Sequence, residues 1–228
     1  MKNLIFLLLI LVSFTSFSQD EPEDTDSRND VVGDLNRRGT GLWMKPLRKA
    51  KVKGDVYLFD NWKNLGAIFT EQGSKYNLKS INYDTKQDRF VTRLAPDSVF
   101  VFSAKSIKQV KLKTKNYKRY FNQGVYKYYE VLAYAKGLEL LKKSKKELKK
   151  GAKDPFTNGY KSDRYILITK YFFNSNLGIK ELKLRKRAFL GFFGEDTKKI
   201  KQLMSKHKLS YKKEKDLVQL FDHYKKIQ

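Results

Sequence analysis

The chain contains no cysteine. Disulfides, zinc–thiolate sites, thiol nucleophiles and a lipid-modified N-terminal cysteine are therefore excluded. Histidine is nearly absent as well: His207 and His223 are the only two, and they fall on different helical segments. A metal centre needs convergent His, Cys or carboxylate donors, so neither a metal nor a cofactor is expected. Acids are outnumbered, with 24 Asp and Glu against 49 Lys and Arg, for a net charge of +25. There is no Gly-x-Ser-x-Gly elbow and no His-Glu-x-x-His. The segment around Gly191–Gly194 lacks the Lys and Ser/Thr of a nucleotide phosphate loop. Catalytic residues are therefore assigned to none of these positions.

The one strongly apolar run at the start, Leu4 to Val12, follows Lys2 and precedes small residues. Ser16 and Ser18 occupy the −3 and −1 positions of a cleavage before Gln19. This is the layout of a secretory signal peptide over residues 1–18. The run is short for a bilayer crossing, which takes about 20 residues; an uncleaved anchor is the alternative. The mature chain, Gln19–Gln228, is expected to work outside the cytoplasm, in the periplasm or at the cell surface. After cleavage no transmembrane segment is expected. An exported chain without disulfides must derive its stability from packing.

Charge is unevenly placed. Asp20 to Asp30 carries six acids and one base, whereas Val31 onward carries 47 bases and 18 acids. A disordered acidic leader (residues 19–40) thus precedes a strongly basic body, and a loose electrostatic contact between the two is expected. Such a field attracts polyanions. Export shifts the expected partner from nucleic acid to anionic lipid, lipopolysaccharide or surface polysaccharide. The alternative is that Lys, Asn, Ile, Tyr and Phe reflect A/T-rich codon usage.

From Val52 to Leu184, short apolar runs alternate with turn residues, as in an antiparallel sheet. Strands are expected at Val56–Phe59, Gly66–Thr70, Tyr76–Tyr83, Arg89–Leu94, Ser98–Ala104, Ile107–Lys113 and Gly124–Tyr134. Ala135-Lys136-Gly137 should turn the last of these into Leu138–Leu141. A solvated Lys-rich loop is expected through Pro155, with Lys142, Lys143, Lys145, Lys146, Lys149, Lys150 and Lys153. Tyr165–Phe173 and Ile179–Arg185 form a further pair. After Arg185 the period becomes helical. Ile200, Leu203, Met204 and His207 make one stripe; Leu217, Leu220, Phe221 and Tyr224 make another, with Ser210 or a neighbour as cap. The fold class is α+β: a twisted antiparallel sheet of about eight strands over 41–185, then a helical segment, 186–228, packed on it.

Tyr57-Leu58-Phe59-Asp60-Asn61-Trp62, Ile81-Asn82-Tyr83-Asp84, Tyr129-Glu130-Val131-Leu132 and Leu184-Arg185-Lys186-Arg187 together resemble a group of exported Bacteroidota proteins. So does the leader ending in Phe-Ser-Gln. The likeness spans most of the mature chain. It implies a shared fold and an extracytoplasmic location, and it carries no activity or site residue with it.

Two stretches interleave bases with aromatics: Tyr117–Phe121 and Tyr126–Tyr129. Exposed, they would stack on rings while Lys contacts anions; buried, they are ordinary sheet formers. The expected contact surface is Lys111, Lys113, Lys118, Arg119, Tyr126 and Tyr128. The function expected is non-enzymatic binding of an anionic envelope component. Binding another envelope protein as a scaffold, or an Asp/Glu-dependent hydrolase, are the alternatives. For the hydrolase, Glu130 is the acid to weigh, on a solvated face or lining a pocket, with Glu181 as a possible second carboxylate. Asp60, Asp84 and Asp88 sit at turns, where Asp bonds the backbone.

Overall fold

Alternating inward and outward residues run through twelve strands in the computed structural model, which describes residues 41–44, 52–153, 155–156 and 161–227. The expected signal peptide (1–18) and acidic leader (19–40) lie outside the described residues. The strands are β1 (Gly41–Met44), β2 (Gly66–Thr70), β3 (Lys75–Leu78), β4 (Ile81–Asp84), β5 (Arg89–Ala95) and β6 (Ser98–Phe102). There follow β7 (Ile107–Leu112), β8 (Lys115–Asn122), β9 (Val125–Ala135), β10 (Leu138–Lys149), β11 (Arg164–Ser175) and β12 (Gly178–Leu182). Three helices close the chain: α1 (Lys186–Leu190), α2 (Thr197–Lys206) and α3 (Glu214–Tyr224).

Eight strands form one antiparallel sheet in the order β12-β11-β10-β9-β8-β7-β2-β3. The expected α+β class, a sheet of about eight strands followed by helices, is what the chain adopts. A second sheet, β1-β6-β5-β4, was not expected. A single row of paired residues crosses the large sheet: Tyr76, Ile68, Val110, Tyr117, Glu130, Lys142, Tyr171 and Leu182. Directly opposed residues share a face, so this row defines the inner face.

Two hydrophobic cores sit on that inner face. At one end, Ile68, Leu78, Val110, Leu112, Tyr117 and Tyr128 pack against Ile81, Tyr83, Phe90, Phe100 and Phe102 of the small sheet. At the other, Ala135, Leu138, Leu140, Phe173 and Leu182 pack against Phe189, Phe193, Ile200, Leu217, Leu220 and Phe221 of the helical segment. The middle of the row, Glu130 and Lys142, is charged and lies between the cores. The far face of the small sheet buries Val91, Val99 and Val101 under Tyr57 and Trp62.

Local chemistry explains the hairpins. Gln123-Gly124 and Lys136-Gly137 have φ of 52° and 80°, and of 48° and 77°. Two successive positive φ values make the two-residue turn that matches strand twist, and Gly fills its second place without steric cost. The hairpin expected at Ala135-Lys136-Gly137 is thus present.

Four expectations are corrected. Val56–Phe59 is not a strand. Tyr57 forms an isolated bridge to Asp84, and the Phe59 N–H and C=O bond instead to the Asn82 side chain, at 3.1 and 2.7 Å. Tyr76–Tyr83 is two strands in different sheets. It breaks at Ser80, whose carbonyl accepts from Arg93 N at 3.3 Å and whose hydroxyl lies 3.0 Å from Thr92 Oγ1. The Lys-rich loop after Leu141 is strand: β10 pairs in continuous register with β11 from Glu139 to Lys149. Ser210 does not cap the last helix, which begins after Lys213 with no side-chain cap; Ser210 N instead donates to Asp216 Oδ2 at 2.9 Å.

The two helical stripes are as expected, and they meet at the histidines. His207 stacks on His223 with ring centroids 3.8 Å apart and planes 15° from parallel. Partial burial, the His223 ring and the neighbouring Lys206 charge hold the His207 pKa below its ordinary 6.5. The unfolded chain therefore takes up this proton at higher pH than the folded one. Stability should be full above about pH 6.5 and fall as the pH drops toward the lower folded pKa. Urea midpoints at about pH 7.5 and 5.5 test this. His207→Gln should shrink the difference between them, and an unchanged difference would place the pH sensitivity elsewhere.

Candidate functional site

The outer face of the large sheet is open over β3, β2, β7 and β8. One row across these strands is Lys75, Phe69, Gln109 and Lys118; the next is Asn77, Ala67, Lys111 and Asn116. Neither row contains an acid. Lys75, Asn77 and Lys111 are exposed, while Phe69, Gln109, Asn116 and Lys118 are half-buried. The ammonium groups of Lys75 and Lys111 lie 5.9 and 5.7 Å from the Phe69 ring centroid, in cation–π range. Gln109 Nε2 donates to Asn116 Oδ1 at 2.6 Å. Glu139 reaches in from β10 to accept from Lys118 Nζ at 3.3 Å.

The structure divides the six residues expected to form one surface. Lys111 and Lys118 are diagonal neighbours on the open face, with Cα atoms about 7–8 Å apart. Lys113 occupies the β7–β8 turn at φ 55°, its ammonium 4.3 Å from the Phe59 ring centroid. Arg119 and Tyr126 face the other way. The Arg119 guanidinium lies 4.6 Å from the Tyr126 ring centroid, pairs with Glu71 at 2.8 Å and donates to the Ala104 carbonyl. Tyr128 is 2% exposed, with its ring 5.0 Å from Phe90, so it belongs to the core and not to a contact surface. The division follows from strand alternation: Lys118 and Arg119 are successive and must point to opposite faces. Lys75 and Phe69 were missed because only the β2–β3 and β2–β7 registers bring them beside Lys111.

The Lys-rich segment is also corrected. Its lysines are not uniformly solvated, because β10 carries several of them inward. Lys142 Nζ lies 2.8 Å from Glu214 and 3.8 Å from Glu130. Lys146 pairs with Asp60 at 2.9 Å and Asp55 at 3.8 Å. Lys143 pairs with Asp88 at 2.5 Å and donates to Tyr83 Oη and the Tyr128 carbonyl, at 2.9 and 2.8 Å. Its three protons thus have three acceptors. Burial pulls the Lys143 pKa down, and Asp88 opposes that pull. Tyr83 Oη donates to the same Asp88; burial first, then Asp88, pushes its pKa well up. This group ties β4 and β9 to β10.

The solvated reading of Glu130 is overturned. Glu130 is 6% exposed and accepts from Lys115 Nζ at 2.6 Å. Glu214 accepts from Lys142 Nζ at 3.0 Å and from Tyr171 Oη at 2.7 Å. Burial alone would raise the Glu214 pKa, but these two hydrogen bonds outweigh it and hold the carboxyl below its ordinary value. Glu181 does not meet Glu130. It is on β12, three strands from β9 and therefore roughly 14 Å away, and it pairs with Lys170. Asp84 accepts from Lys86 N and Gln87 N, both at 3.0 Å, as a turn residue does. Among the described residues no three His or acidic side chains converge as a metal would require, and no helix is long and apolar enough to cross a membrane.

Comparison of the chain with protein-family models, with curated proteins and with solved structures finds no match.

Proposed function

We propose that the protein is a non-enzymatic, extracytoplasmic binder of an anionic envelope glycan, with the open face of β3, β2, β7 and β8 as its contact surface. The observation that carries this reading is the pair of acid-free rows holding Lys75, Lys111 and Lys118 beside Phe69 and three carboxamides. Lysines spaced along a sheet face match charges spaced along an extended polymer. Asn77, Gln109 and Asn116 offer both donors and acceptors to sugar hydroxyls.

The test is retention on an immobilised uronic-acid polysaccharide, with neutral dextran as control. Retention should be strong at low salt and fall as salt rises, because exposed charges are screened within about 10 Å at 0.1 M. Replacing Lys75 and Lys111 by Glu and Lys118 by Gln, which can still donate to Glu139, should together weaken binding at least about tenfold, with little change in the urea midpoint, since each surface substitution shifts stability by about 0.5 kcal/mol or less. Retention of the triple variant equal to that of the parent, or equal binding to dextran, would overturn the proposal.

A further inference from the structure

Strands β8 and β9 run past their neighbours as a two-stranded arm. The β7 ladder covers β8 only from Lys115 to Lys118, and the β10 ladder covers β9 only from Glu130 to Ala135. Beyond those limits β8 and β9 pair with each other, through Arg119–Tyr128, Tyr120–Lys127, Phe121–Tyr126 and Asn122–Val125. The base of the arm is held. Arg119 donates to the Ala104 carbonyl and to Glu71, and Tyr128 N donates to Asp88 Oδ1 at 3.3 Å. Tyr120 Oη donates to Glu139 at 2.9 Å. Past Arg119 the strand continues for three residues to its turn, or roughly 10 Å.

The tip of that arm is apolar and exposed. Phe121, Tyr126 and Val125 are 63%, 59% and 50% exposed. The Phe121 and Tyr126 ring centroids lie 5.1 Å apart, and neither ring joins a core. These two residues are directly opposed and share one face. Val125, next to Tyr126, points from the other face. The turn between the strands, Gln123-Gly124, is exposed as well. Cations stand around the base. Lys108 precedes Gln109, the β7 partner of Lys118, and so lies beside Arg119. Lys105 follows Ala104, whose carbonyl accepts from Arg119. Lys127 is on the arm itself. Among the described residues these three make no ion pair. The hairpin from Lys115 to Tyr129 contains no acid, and Glu71, at its base, is paired with Arg119 at 2.8 Å.

We propose that this tip inserts into the interface of an anionic phospholipid bilayer. Apolar groups on both faces of the ribbon fit a medium that surrounds the tip; a flat protein surface would cover only one. Burying two aromatic rings and a valine supplies the apolar attraction. Tyr126, with a ring and a hydroxyl, suits the boundary between headgroups and acyl chains. The reach matches, because interfacial elements sit about 5–10 Å into that boundary. A two-stranded ribbon has unpaired edges whose N–H and C=O groups need water or headgroups, so insertion stops at the interface and does not span the membrane. Lys105, Lys108 and Lys127 need not converge on one point. A bilayer is an extended sheet of charge, and it attracts each cation that comes within about 10 Å of it at 0.1 M salt. The end of the sheet would meet the bilayer and its outer face the glycan, so the two contacts are independent.

Flotation with phosphatidylglycerol–phosphatidylethanolamine vesicles tests the proposal, with phosphatidylcholine vesicles as the neutral control. The protein should float with the anionic vesicles at low salt and not with the neutral ones. Phe121→Ser/Tyr126→Ser keeps every charge and should lower the partition coefficient at least about tenfold, the factor that one fully buried aromatic contributes. Its urea midpoint should match the parent's, because both side chains are exposed. Phe121→Trp should still float, and its emission should shift to the blue on anionic vesicles, over the Trp43 and Trp62 signal of the parent. Equal flotation of the parent and the serine variant would overturn insertion and leave only the attraction of the basic body. An unshifted Phe121→Trp spectrum on vesicle-bound protein would place the contact elsewhere. Equal flotation with neutral vesicles would overturn the anionic preference. No flotation of the parent would overturn the bilayer as the occupant and leave a protein partner for the tip.

Discussion

Phe173→Ala is expected to cost about 3–5 kcal/mol of stability, the range for emptying a large aromatic site in a packed core. Phe173 is 1% exposed, and it is the β11 residue on which the helical segment converges. Its ring centroid lies 4.6 Å from Phe192, 5.7 Å from Phe193, 5.8 Å from Phe221 and 5.9 Å from Phe189. Those four rings come from α1, the 3₁₀ turn that follows it (Gly191–Asp196) and α3. Removing the fifth leaves a cavity that none of them can fill without moving the others. For a chain of this size each kcal/mol corresponds to about 2–4 °C, so the melting temperature should fall by roughly 6–20 °C. Phe173→Leu keeps most of the volume and should cost less than half as much. Melts followed by near-ultraviolet circular dichroism report the aromatic packing directly. A shift of under about 2 °C for the Ala variant would show that the helices are not held through this ring.

Lys142→Met is expected to cost about 3 kcal/mol, the lower end for breaking a buried ion pair from one side. Lys142 stands between the carboxylates of Glu130 and Glu214 and joins β9 and β10 to α3. Its loss leaves Glu130 to Lys115 alone and Glu214 to the Tyr171 hydroxyl. The sign of the pH effect follows from Glu214. Its folded pKa lies below the ordinary 4.5, so its contribution is present above about pH 4.5 and lost as the pH falls through the folded value. Lys142→Met should diminish that acid-side contribution. The double variant Lys142→Met/Glu214→Leu should recover part of the loss, because it removes the orphaned carboxylate along with its partner and leaves Glu130 with Lys115. Urea denaturation of the single and double variants measures both effects. A double variant less stable than Lys142→Met would show that the charges contribute more than apolar packing would in their place.

The sequence elements that proved legible have their partners close by or within themselves. The stripe Leu217, Leu220, Phe221 and Tyr224 is read from one helix and is buried as one face. The turn at Lys136-Gly137 is read from three residues. Ser98–Phe102, apolar on both faces, is a strand flanked by β1 and β5 and buried on both. The elements that were misread depend on distant partners. Val56–Phe59 has strand-like residues, but the Asn82 side chain takes the hydrogen bonds of Phe59 in place of a second strand. The second half of β10, residues 143–149, has poor strand formers, and its seven paired residues on β11 hold it extended. Of the expected surface, Lys111 and Lys118 share a face; Arg119, Tyr126 and Tyr128 do not join them.

By itself the sequence determined the division into strands followed by helices, the hairpin turn at Ala135-Lys136-Gly137 and the buried faces of the last two helices. Each follows from periodicity or turn chemistry within one element. The tertiary structure decided that the strands form two sheets, that the face bearing Tyr128 and Glu130 is the inner one, and that Lys142 and Lys143 are enclosed. Alternation states that Lys118 and Arg119 point oppositely, and it is silent on which of them points inward. That choice rests on cross-strand register and on what covers the sheet, as with Lys142 and Glu214, 72 residues apart in sequence and hydrogen-bonded at 3.0 Å in the fold.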